Sequence, residues 1–347
     1  MGSLGVFALI LVLFGVHLDF VRGLNTDELQ DLQTRYSSYT NENGTIGVKG
    51  LSIGGWLVTE PFITPSLYQR AFNIVSELGN NTTDIVDEYT LTKVLGYDTA
   101  RNLLDQHFDS WISEDDIKQI SEDGFNLIRI PIGYWAWKQD NVTNMYIGNI
   151  TFEDPYVSDG LQLKYLDRAL NWAEKYNLNV WIDLHGAPNT QNGFDNSGQR
   201  NLYNDLSWLK TESSRQLTLE VWSSLFESYL SQGGESPVAG IEIVNEPLSP
   251  KLDDYTMTEY FYKAYQIYLQ KQSSNDSTTF VFHDAFKDIG YWNLQFNSKY
   301  TNVSDQYTSS DNITFRQSDI MVDHHHYEIF TDFQLNNNQY DRIMDIM

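Results

Sequence analysis

The sequence predicts an α/β fold built around a parallel β-sheet. From residue 113 onward, an amphipathic helical segment, a helix-breaking residue and a short apolar strand follow one another four times. This alternation is typical of parallel sheets, in which each helix connects two strands. The strand segments are nearly continuous runs of Val, Ile and Leu, as expected where both faces of a sheet are buried. These observations leave two architectures, a closed barrel and a doubly wound sheet.

Six strand segments can be identified in the chain. They are residues 125–131, 178–184, 239–244 and 279–283 in the repeating unit, and residues 48–56 and 319–327 near the ends. Ser113 and Asp116 have the spacing of a helix capping pair, and Gly124 can end that helix in a left-handed conformation. The segment from about residue 73 to 111 is predicted as helices inserted between the first two strands. No linker divides the mature chain, so we predict one domain.

The choice between the two architectures depends on the residues that follow the strands. A nucleotide-binding sheet is not supported, because neither G-x-G-x-x-G nor G-x-x-x-x-G-K-[ST] occurs in the sequence. Polar residues instead follow almost every strand, at the end where a (β/α)8 barrel assembles its active site. The sequence therefore predicts a (β/α)8 TIM barrel, with about six of its eight strands present in this chain.

Composition excludes several functions. The 22 Lys and Arg residues face 47 Asp and Glu residues, and the formal charge of −25 would repel phosphate backbones. We therefore expect no nucleic-acid partner. The absence of cysteine excludes disulfides and thiolate chemistry within this sequence. Catalysis would have to use carboxylates, hydroxyls or the 7 histidines.

The N-terminal residues indicate secretion. An apolar run at residues 4–16 has the length of a signal-peptide core, and residues 21–23 offer a small-residue cleavage site. We predict a signal peptide at 1–23 and a mature chain at 24–347, with a retained N-terminal anchor as the alternative. We expect no membrane span after signal removal. Sequons for N-glycosylation support the same route and lie at Asn43, Asn80, Asn81, Asn141, Asn149, Asn275, Asn302 and Asn312.

The tripeptide Asn245-Glu246-Pro247 follows the strand at 239–244 and is the first candidate for catalysis. A glutamate at the open end of a barrel can act as a general acid if partial burial raises its pKa. The neighbouring amide of Asn245 can bond a sugar hydroxyl. The alternative interpretation is a glutamate in a surface turn.

Two other strands carry charged or titratable residues. Arg129 lies in an apolar strand and needs an anion, which is either a structural salt-bridge partner or a catalytic carboxylate. Asp183 and His185 share one face of the next strand because side chains alternate along a strand. The histidine is either a core residue bonded to that aspartate or a substrate contact, and the sequence leaves both interpretations open.

The run of histidines at 324–326 precedes Tyr327. Alternation places His325 and Tyr327 on one face and the other two histidines on the opposite face. A zinc site is the alternative interpretation, although no carboxylate partner stands at ligand spacing. Aromatic residues near the strand ends are either core or sugar-stacking platforms, and they are Trp56, Trp135, Trp137, Phe194, Trp292 and Phe330.

Seven stretches in order carry a likeness to a known family. They begin at Gly50, Val86, Ile128, Val180, Ile241, His283 and Val322. Over about residues 48–347 the chain resembles the fungal exo-β-1,3-glucanases of glycoside hydrolase family 5. The resemblance implies a (β/α)8 barrel and retaining hydrolysis of β-1,3-glucan from its non-reducing end, with release of glucose and no metal or organic cofactor. It also implies a secreted, cell-wall or cell-surface enzyme, and we expect a monomer.

The resemblance also implies roles for individual residues. Glu246 matches the general acid/base, and Asn245 matches the amide that bonds the 2-hydroxyl of the sugar. Glu60 matches an acidic residue that grips the terminal glucose, and Phe62 stands where the family commonly has Tyr. Four residues match positions around the nucleophile and the −1 subsite, namely Arg129, His185, His325 and Tyr327. Three residues match the pocket entrance, namely Phe194, Asp195 and Phe330.

One element of the family pattern is missing from this sequence. Retaining hydrolysis needs two carboxyl groups about 5 Å apart, and the family's nucleophile follows the histidine-rich strand in a Gly-Glu-Trp-type motif, whereas this sequence stops at Met347. Poor substitutes for it are Asp183, Asp284, Asp323 and Glu328. We therefore expect an incomplete copy with almost no activity. The alternatives are a non-catalytic glucan-binding remnant and a wall transglucosylase.

Overall fold

A single parallel sheet of six strands organises the protein. The computed structural model describes residues 48–79, 85–137, 154–202, 206–231, 236–273, 276–288, 290–292, 315, 319–327 and 335. The strands are β1 (Gly50–Ser52), β2 (Leu127–Gly133), β3 (Asn179–Gly186), β4 (Val238–Glu242), β5 (Thr279–His283) and β6 (Ile320–Asp323). They pair in chain order, and every neighbouring pair is parallel. The six predicted strands are confirmed, although β1 and β6 are shorter than predicted.

Helices lie between successive strands along the chain. In the described part of the chain they are α1 (Pro65–Glu77), α2 (Glu88–Leu95), α3 (Tyr97–Trp111), α4 (Glu114–Glu122), α5 (Leu161–Lys175), α6 (Glu212–Tyr229) and α7 (Asp254–Lys271). Helices α1 to α3 lie between β1 and β2, which confirms the predicted helical insertion. The insertion begins earlier than predicted because Pro65 occupies the first turn of α1, where its missing N–H costs nothing.

Local sequence signals explain the ends of α4. The Ser113 hydroxyl accepts from the backbone N–H of Asp116 over 3.3 Å, and the Asp116 carboxylate accepts from the backbone N–H of Ser113 over 2.9 Å. These two bonds complete the predicted capping box. Gly124 follows the helix with φ 85°, a left-handed conformation that favours glycine. The chain can therefore turn directly from α4 toward β2.

A long-range contact shows that the sheet curls. Arg129 on β2 and Asp323 on β6 are four strands apart in the sheet order, which in a flat sheet would separate them by roughly 19 Å. The Nε atom of Arg129 nevertheless lies 3.9 Å from Oδ2 of Asp323. The sheet therefore bends through much of a circle, and its six strands form part of a (β/α)8 barrel.

The tryptophans near the strand ends belong to the core. Trp56 and Trp135 are completely buried, and Trp137 and Trp292 are nearly so. The hypothesis that they form sugar-stacking platforms is wrong for these four residues, because side chains this deeply buried expose no ring face on which a sugar could stack. Phe194 differs, with 37% of its surface exposed.

Several predictions concern residues outside the described part of the chain. These include the signal peptide at 1–23, all eight sequons, Glu328 and Phe330. Among the helices that the structure describes, none combines the length and the hydrophobicity that a membrane crossing requires.

Candidate active site

A cavity of about 430 Å³ lies within the curled sheet, and its wall runs from the start of the strands, as at Leu127, to residues beyond their ends, such as Glu246. The structure brings six of the ten predicted site residues to its wall, namely Arg129, His185, Asn245, Glu246, His325 and Tyr327. They come from β2, β3, the turn after β4 and the extended segment after β6. Residues far apart in sequence meet here because parallel strands all end at one rim of a barrel.

Glu246 is the most heavily bonded carboxylate in this cavity. Its Oε1 accepts from Nδ1 of His325 over 2.7 Å and from the hydroxyl of Tyr327 over 2.5 Å. Its Oε2 accepts from the amide of Asn196 over 3.0 Å. The backbone of Glu246 adopts φ 45°, a strained conformation for a residue with a side chain. The carboxylate is therefore held in one orientation, pointing into the cavity.

The electrostatics of Glu246 differ from the expectation for a buried acid. Burial raises its pKa, but the hydrogen bonds from His325 and Tyr327 outweigh burial and lower the pKa to about 2. The expectation that partial burial raises the pKa is therefore wrong for this arrangement. Burial lowers the pKa of His325, but its bonds with Asp323 and Glu246 raise the value to about 10. The two side chains form a carboxylate–imidazolium pair.

Arg129 forms ion pairs with two carboxylates on neighbouring strands of the sheet. Its guanidinium donates through Nε and Nη2 to Oε2 of Glu242, over 3.0 and 2.8 Å, and Nη1 lies 3.0 Å from Oδ2 of Asp183. The interpretation of a structural salt bridge is thus confirmed. Nη2 also donates to Oδ1 of Asn245 over 2.9 Å. This bond fixes the amide orientation, so the NH2 group of Asn245 points toward Nε2 of His185 at the cavity wall.

His185 is bonded to the aspartate on its own strand face and also lines the cavity. Its Nδ1 donates to Oδ2 of Asp183 over 2.5 Å, because a carboxylate oxygen can only accept. Nε2 faces the Asn245 amide, 3.5 Å away, at the cavity wall. His185 is thus bonded to the aspartate and still presents its other nitrogen to the cavity.

Three side chains of this region lie close enough together to share a metal ion. Glu246, His283 and His325 each offer one ligand atom, and these atoms lie within 4.8 Å of one another. Nδ1 of His283, however, accepts from the backbone N–H of Ala285 over 3.0 Å. A backbone nitrogen can only donate, so Nε2 of the neutral ring carries the proton and cannot ligate a cation. The chemistry of this donor set does not favour the zinc alternative.

The remaining predicted residues lie around the cavity or outside the described residues. Glu60 is partly buried; burial raises its pKa, the charge of His185 lowers it, and the charges of Asp195 and Glu246 raise it. Phe194 and Asp195 begin a short 3-10 turn whose next residue, Asn196, reaches Glu246. Phe330 lies outside the described residues.

Sequence reasoning missed three residues that build this site. Glu242 pairs with Arg129, and a charged residue within the apolar strand β4 was the signal that could have identified it. Gln191 donates to the backbone carbonyls of His185 and Asn245 over 2.7 and 2.8 Å. Asn196, like Gln191, lies in the stretch that begins at Val180, so the resemblance already covered both residues.

A comparison with protein families agrees with this geometry. Residues 89–346 match the family described as Cellulase (glycosyl hydrolase family 5). The chain therefore belongs to glycosyl hydrolase family 5. Membership in this family, together with the six curled parallel strands, confirms the predicted fold class.

Several yeast proteins are similar to this chain in sequence. Glucan 1,3-beta-glucosidase 2 of Saccharomyces cerevisiae is 56% identical over 321 residues, which cover 92% of this chain and 57% of that protein. Glucan 1,3-beta-glucosidase of Schwanniomyces occidentalis is 41% identical over 296 residues, which cover 85% of this chain and 60% of that protein. The predicted resemblance is confirmed, and this chain spans about three fifths of the length of these curated relatives.

Solved structures share the fold at lower identity. A rutinosidase from Aspergillus niger has a TM-score of 0.60 and 21% identity, covering 82% of this chain and 71% of that chain. The structure of AoRut has a TM-score of 0.55 and 22% identity, covering 72% of this chain and 64% of that chain. Likeness at this level of identity shows a shared fold.

Proposed function

We propose that this chain belongs to a retaining glycoside hydrolase that releases glucose from the non-reducing ends of β-1,3-glucan, with Glu246 as the acid/base. The observation that carries the proposal is the set of three donors on the Glu246 carboxylate, from His325, Tyr327 and Asn196, inside a cavity of about 430 Å³. The names of the yeast relatives support the substrate class.

The chemistry has two displacement steps. Glu246 protonates the glycosidic oxygen while a second carboxylate attacks the anomeric carbon, and Glu246 then removes a proton from the water that hydrolyses the intermediate. For the first step Glu246 must hold a proton, whereas His325 and Tyr327 keep its pKa at about 2 in the described arrangement. A second carboxylate about 5 Å away would raise that pKa by like-charge repulsion and would offer Tyr327 another acceptor.

The second carboxylate is the component that we place outside the described residues. Among the described residues that line the cavity, Asp323 is the other carboxylate. It lies 3.2 Å from Nε2 of His325 and 3.9 Å from Nε of Arg129. An aspartate held by two cations is a poor nucleophile, because attack would have to break both ion pairs.

Substrate contacts follow from the same geometry. Asn245, whose amide is oriented by Arg129, would bond the 2-hydroxyl of the reacting glucose. Glu60 would grip the terminal glucose from the partly buried edge of the cavity, and the exposed ring of Phe194 would stand at the entrance with Phe330. The reaction requires neither a metal nor an organic cofactor, because carboxylates supply both the proton and the nucleophile.

We also propose the cellular setting. Cleavage after residue 23 would release a monomeric chain to the cell wall or the cell surface, and residues 24–347 would form a large part of one barrel domain. The support is the apolar leader, the eight sequons and the yeast relatives.

The test is glucose release from laminarin by the longest reading frame that contains this chain. Glu246→Gln should reduce turnover by about 100-fold or more, because general acid catalysis contributes at least that factor. Glu212→Gln, a change at an exposed carboxylate, is the control and should leave turnover intact. Undiminished turnover in Glu246→Gln would contradict the assignment.

The same assay separates the two alternatives. Residues 24–347 expressed alone should bind laminarin and release almost no glucose. If the longest reading frame behaves in the same way, the glucan-binding remnant is favoured over the hydrolase. If it makes oligosaccharides longer than its substrate, the acceptor is sugar and the protein is a transglucosylase.

A further inference from the structure

Three consecutive residues at the start of α2 contact two loops beside the cavity. Residues 87–89 are here called the α2 anchor. The first loop, residues 56–60, ends at Glu60. The second loop, residues 193–201, carries Asn196, which donates to Glu246. None of the three anchor residues lines the cavity itself.

Glu88 holds the first loop through a carboxylate that is completely buried. Its Oε2 accepts from the backbone N–H of Thr59 over 2.9 Å and from the Thr59 hydroxyl over 3.0 Å. Its Oε1 accepts from the indole N–H of Trp135 over 2.8 Å. Thr59 directly precedes Glu60, so this carboxylate fixes the backbone from which Glu60 projects.

Asp87 and Tyr89 hold the second loop. Oδ1 of Asp87 accepts from the backbone N–H of Thr90 over 2.7 Å and caps α2, while Oδ2 accepts from the backbone N–H of Arg200 over 2.6 Å. The backbone N–H of Tyr89 donates to the carbonyl oxygen of Gly198 over 2.9 Å. Two bonds thus attach the loop a few residues beyond Asn196.

Helix capping alone does not account for this arrangement. Asp253 caps α7 in the same way, since its carboxylate accepts from the backbone N–H and the hydroxyl of Thr256 over 2.8 and 2.6 Å. That cap uses one oxygen and lies on the surface. Burying a second acid at position 88 carries a desolvation penalty, which is reflected in a pKa raised by burial to about 7. Capping α2 requires neither the Arg200 bond nor the buried Glu88.

We propose that Asp87 and Glu88 are positioning residues that set the separation between Glu60 and Asn196, and thereby the width of the sugar pocket. This inference rests on the proposed function for its ligand. Each residue holds one of the two loops, and their adjacency in a single helical turn makes the two loops one rigid unit. The α2 anchor lies in the helices inserted between β1 and β2. That insertion therefore fixes the position of both loops beside the pocket.

Two variants each remove a bond that holds one of the two loops. In Glu88→Gln, one carboxylate oxygen becomes an NH2 group, so the side chain can no longer accept from both Thr59 and Trp135. In Asp87→Asn, the remaining oxygen can still cap α2, but an NH2 group then faces the N–H of Arg200. Asp253→Asn is the matched control, because it makes the same chemical change in a cap whose carboxylate accepts from Thr256 and from neither loop.

The first measurement is hydrogen exchange of the full chain, followed by mass spectrometry of peptides. Glu88→Gln should accelerate exchange about tenfold or more in the peptide that contains Thr59, and Asp87→Asn should do so in the peptide that contains Arg200. Asp253→Asn should leave the exchange rates of both peptides unchanged. Unchanged exchange at Thr59 and Arg200 in both anchor variants would overturn the proposal.

The second measurement is the affinity for a β-1,3-linked glucotriose, by calorimetry. In both anchor variants the affinity for the glucotriose should fall about tenfold. Asp253→Asn should bind the glucotriose as tightly as the wild type, even if its melting temperature falls as much as those of the anchor variants. Unweakened binding in both anchor variants, or equal weakening in the control, would overturn the proposal. If the wild type binds no glucotriose, the proposed function fails, and the exchange pattern still decides whether the α2 anchor holds the two loops.

Discussion

Glu246 and His325 are bonded over 2.7 Å between Oε1 and Nδ1. The other ring nitrogen of His325 lies 3.2 Å from Oδ2 of Asp323. A ring that meets a carboxylate at each nitrogen is stable only as an imidazolium, because both nitrogens must then donate. One cation therefore joins two acids from different strands, and several properties of the protein should depend on it.

Stability should depend on pH through this pair. The pKa of Glu246 is lowered from 4.5 to about 2, so its contribution is present above pH 4.5 and lost as the pH falls toward 2. The pKa of His325 is raised from 6.5 to about 10, so its contribution is present below pH 6.5 and lost as the pH rises toward 10. The difference in unfolding free energy between wild type and His325→Gln, from urea titrations, should be largest between pH 4.5 and 6.5. His326→Gln is the control, and a difference that does not vary with pH would contradict this prediction.

Tyr327→Phe should raise the pKa of Glu246. The variant removes the hydroxyl that donates to Oε1 over 2.5 Å, and a bond to a charged acceptor corresponds to a shift of roughly one to two pKa units. NMR titration of the carboxyl carbon of Glu246 measures the shift. Tyr176→Phe, which removes a hydroxyl donor to Glu114, should leave the pKa of Glu246 unchanged. An equal titration midpoint in wild type and Tyr327→Phe would refute the role of this hydroxyl.

Arg129→Met should destabilise the barrel strongly. The change leaves Asp183 and Glu242 buried without their cation, and removing one partner of a buried ion pair costs about 3–5 kcal/mol. Urea unfolding near pH 7 measures the loss. Arg215→Met, which breaks an exposed pair with Glu212, should cost no more than about 1 kcal/mol. Similar losses in the two variants would show that the buried network is not a stabilising feature.

Gly198→Ala should lower the stability of the fold far more than Gly124→Ala. The two glycines have similar left-handed backbones, with φ 82° and 85°, and backbone strain alone costs about 1–2 kcal/mol. A methyl group at residue 198 would overlap the ring of Trp135, whereas at residue 124 it would meet no atom within 4 Å. Overpacking should add about 1–3 kcal/mol to the loss at residue 198. Thermal unfolding of both variants compares them, and equal melting temperatures would exclude a tight fit around Trp135.

The positions of the strands could be predicted because they depend on local patterns. Runs of β-branched residues, capping pairs such as Ser113 with Asp116, and the turn at Gly124 each act over a few residues. The ends of strands were less predictable. The segment 48–56 was expected to be extended throughout, yet β1 ends at Ser52, because Gly54 and the left-handed Gly55 begin a turn that brings Trp56 into the core.

The sequence predicted only that the partner of Arg129 is an anion, and not which residue supplies it. Its position in an apolar strand required an anion, and Asp183 was already noted on the neighbouring strand. Glu242 could not be identified by spacing, since 113 residues separate it from Arg129. The curl of the sheet brings the two together, and no local pattern encodes that curl.

The sequence by itself determined the α/β class, the six strands and the family, and it singled out Glu246 as the candidate acid after β4. Only the tertiary structure decided that Glu246 is a carboxylate paired with His325, that the tryptophans are core, and that the α2 anchor bonds two loops beside the cavity. The physical reason is that strand and helix formation depend on neighbours along the chain, whereas burial and pKa depend on charges and atoms that approach only after the sheet has curled.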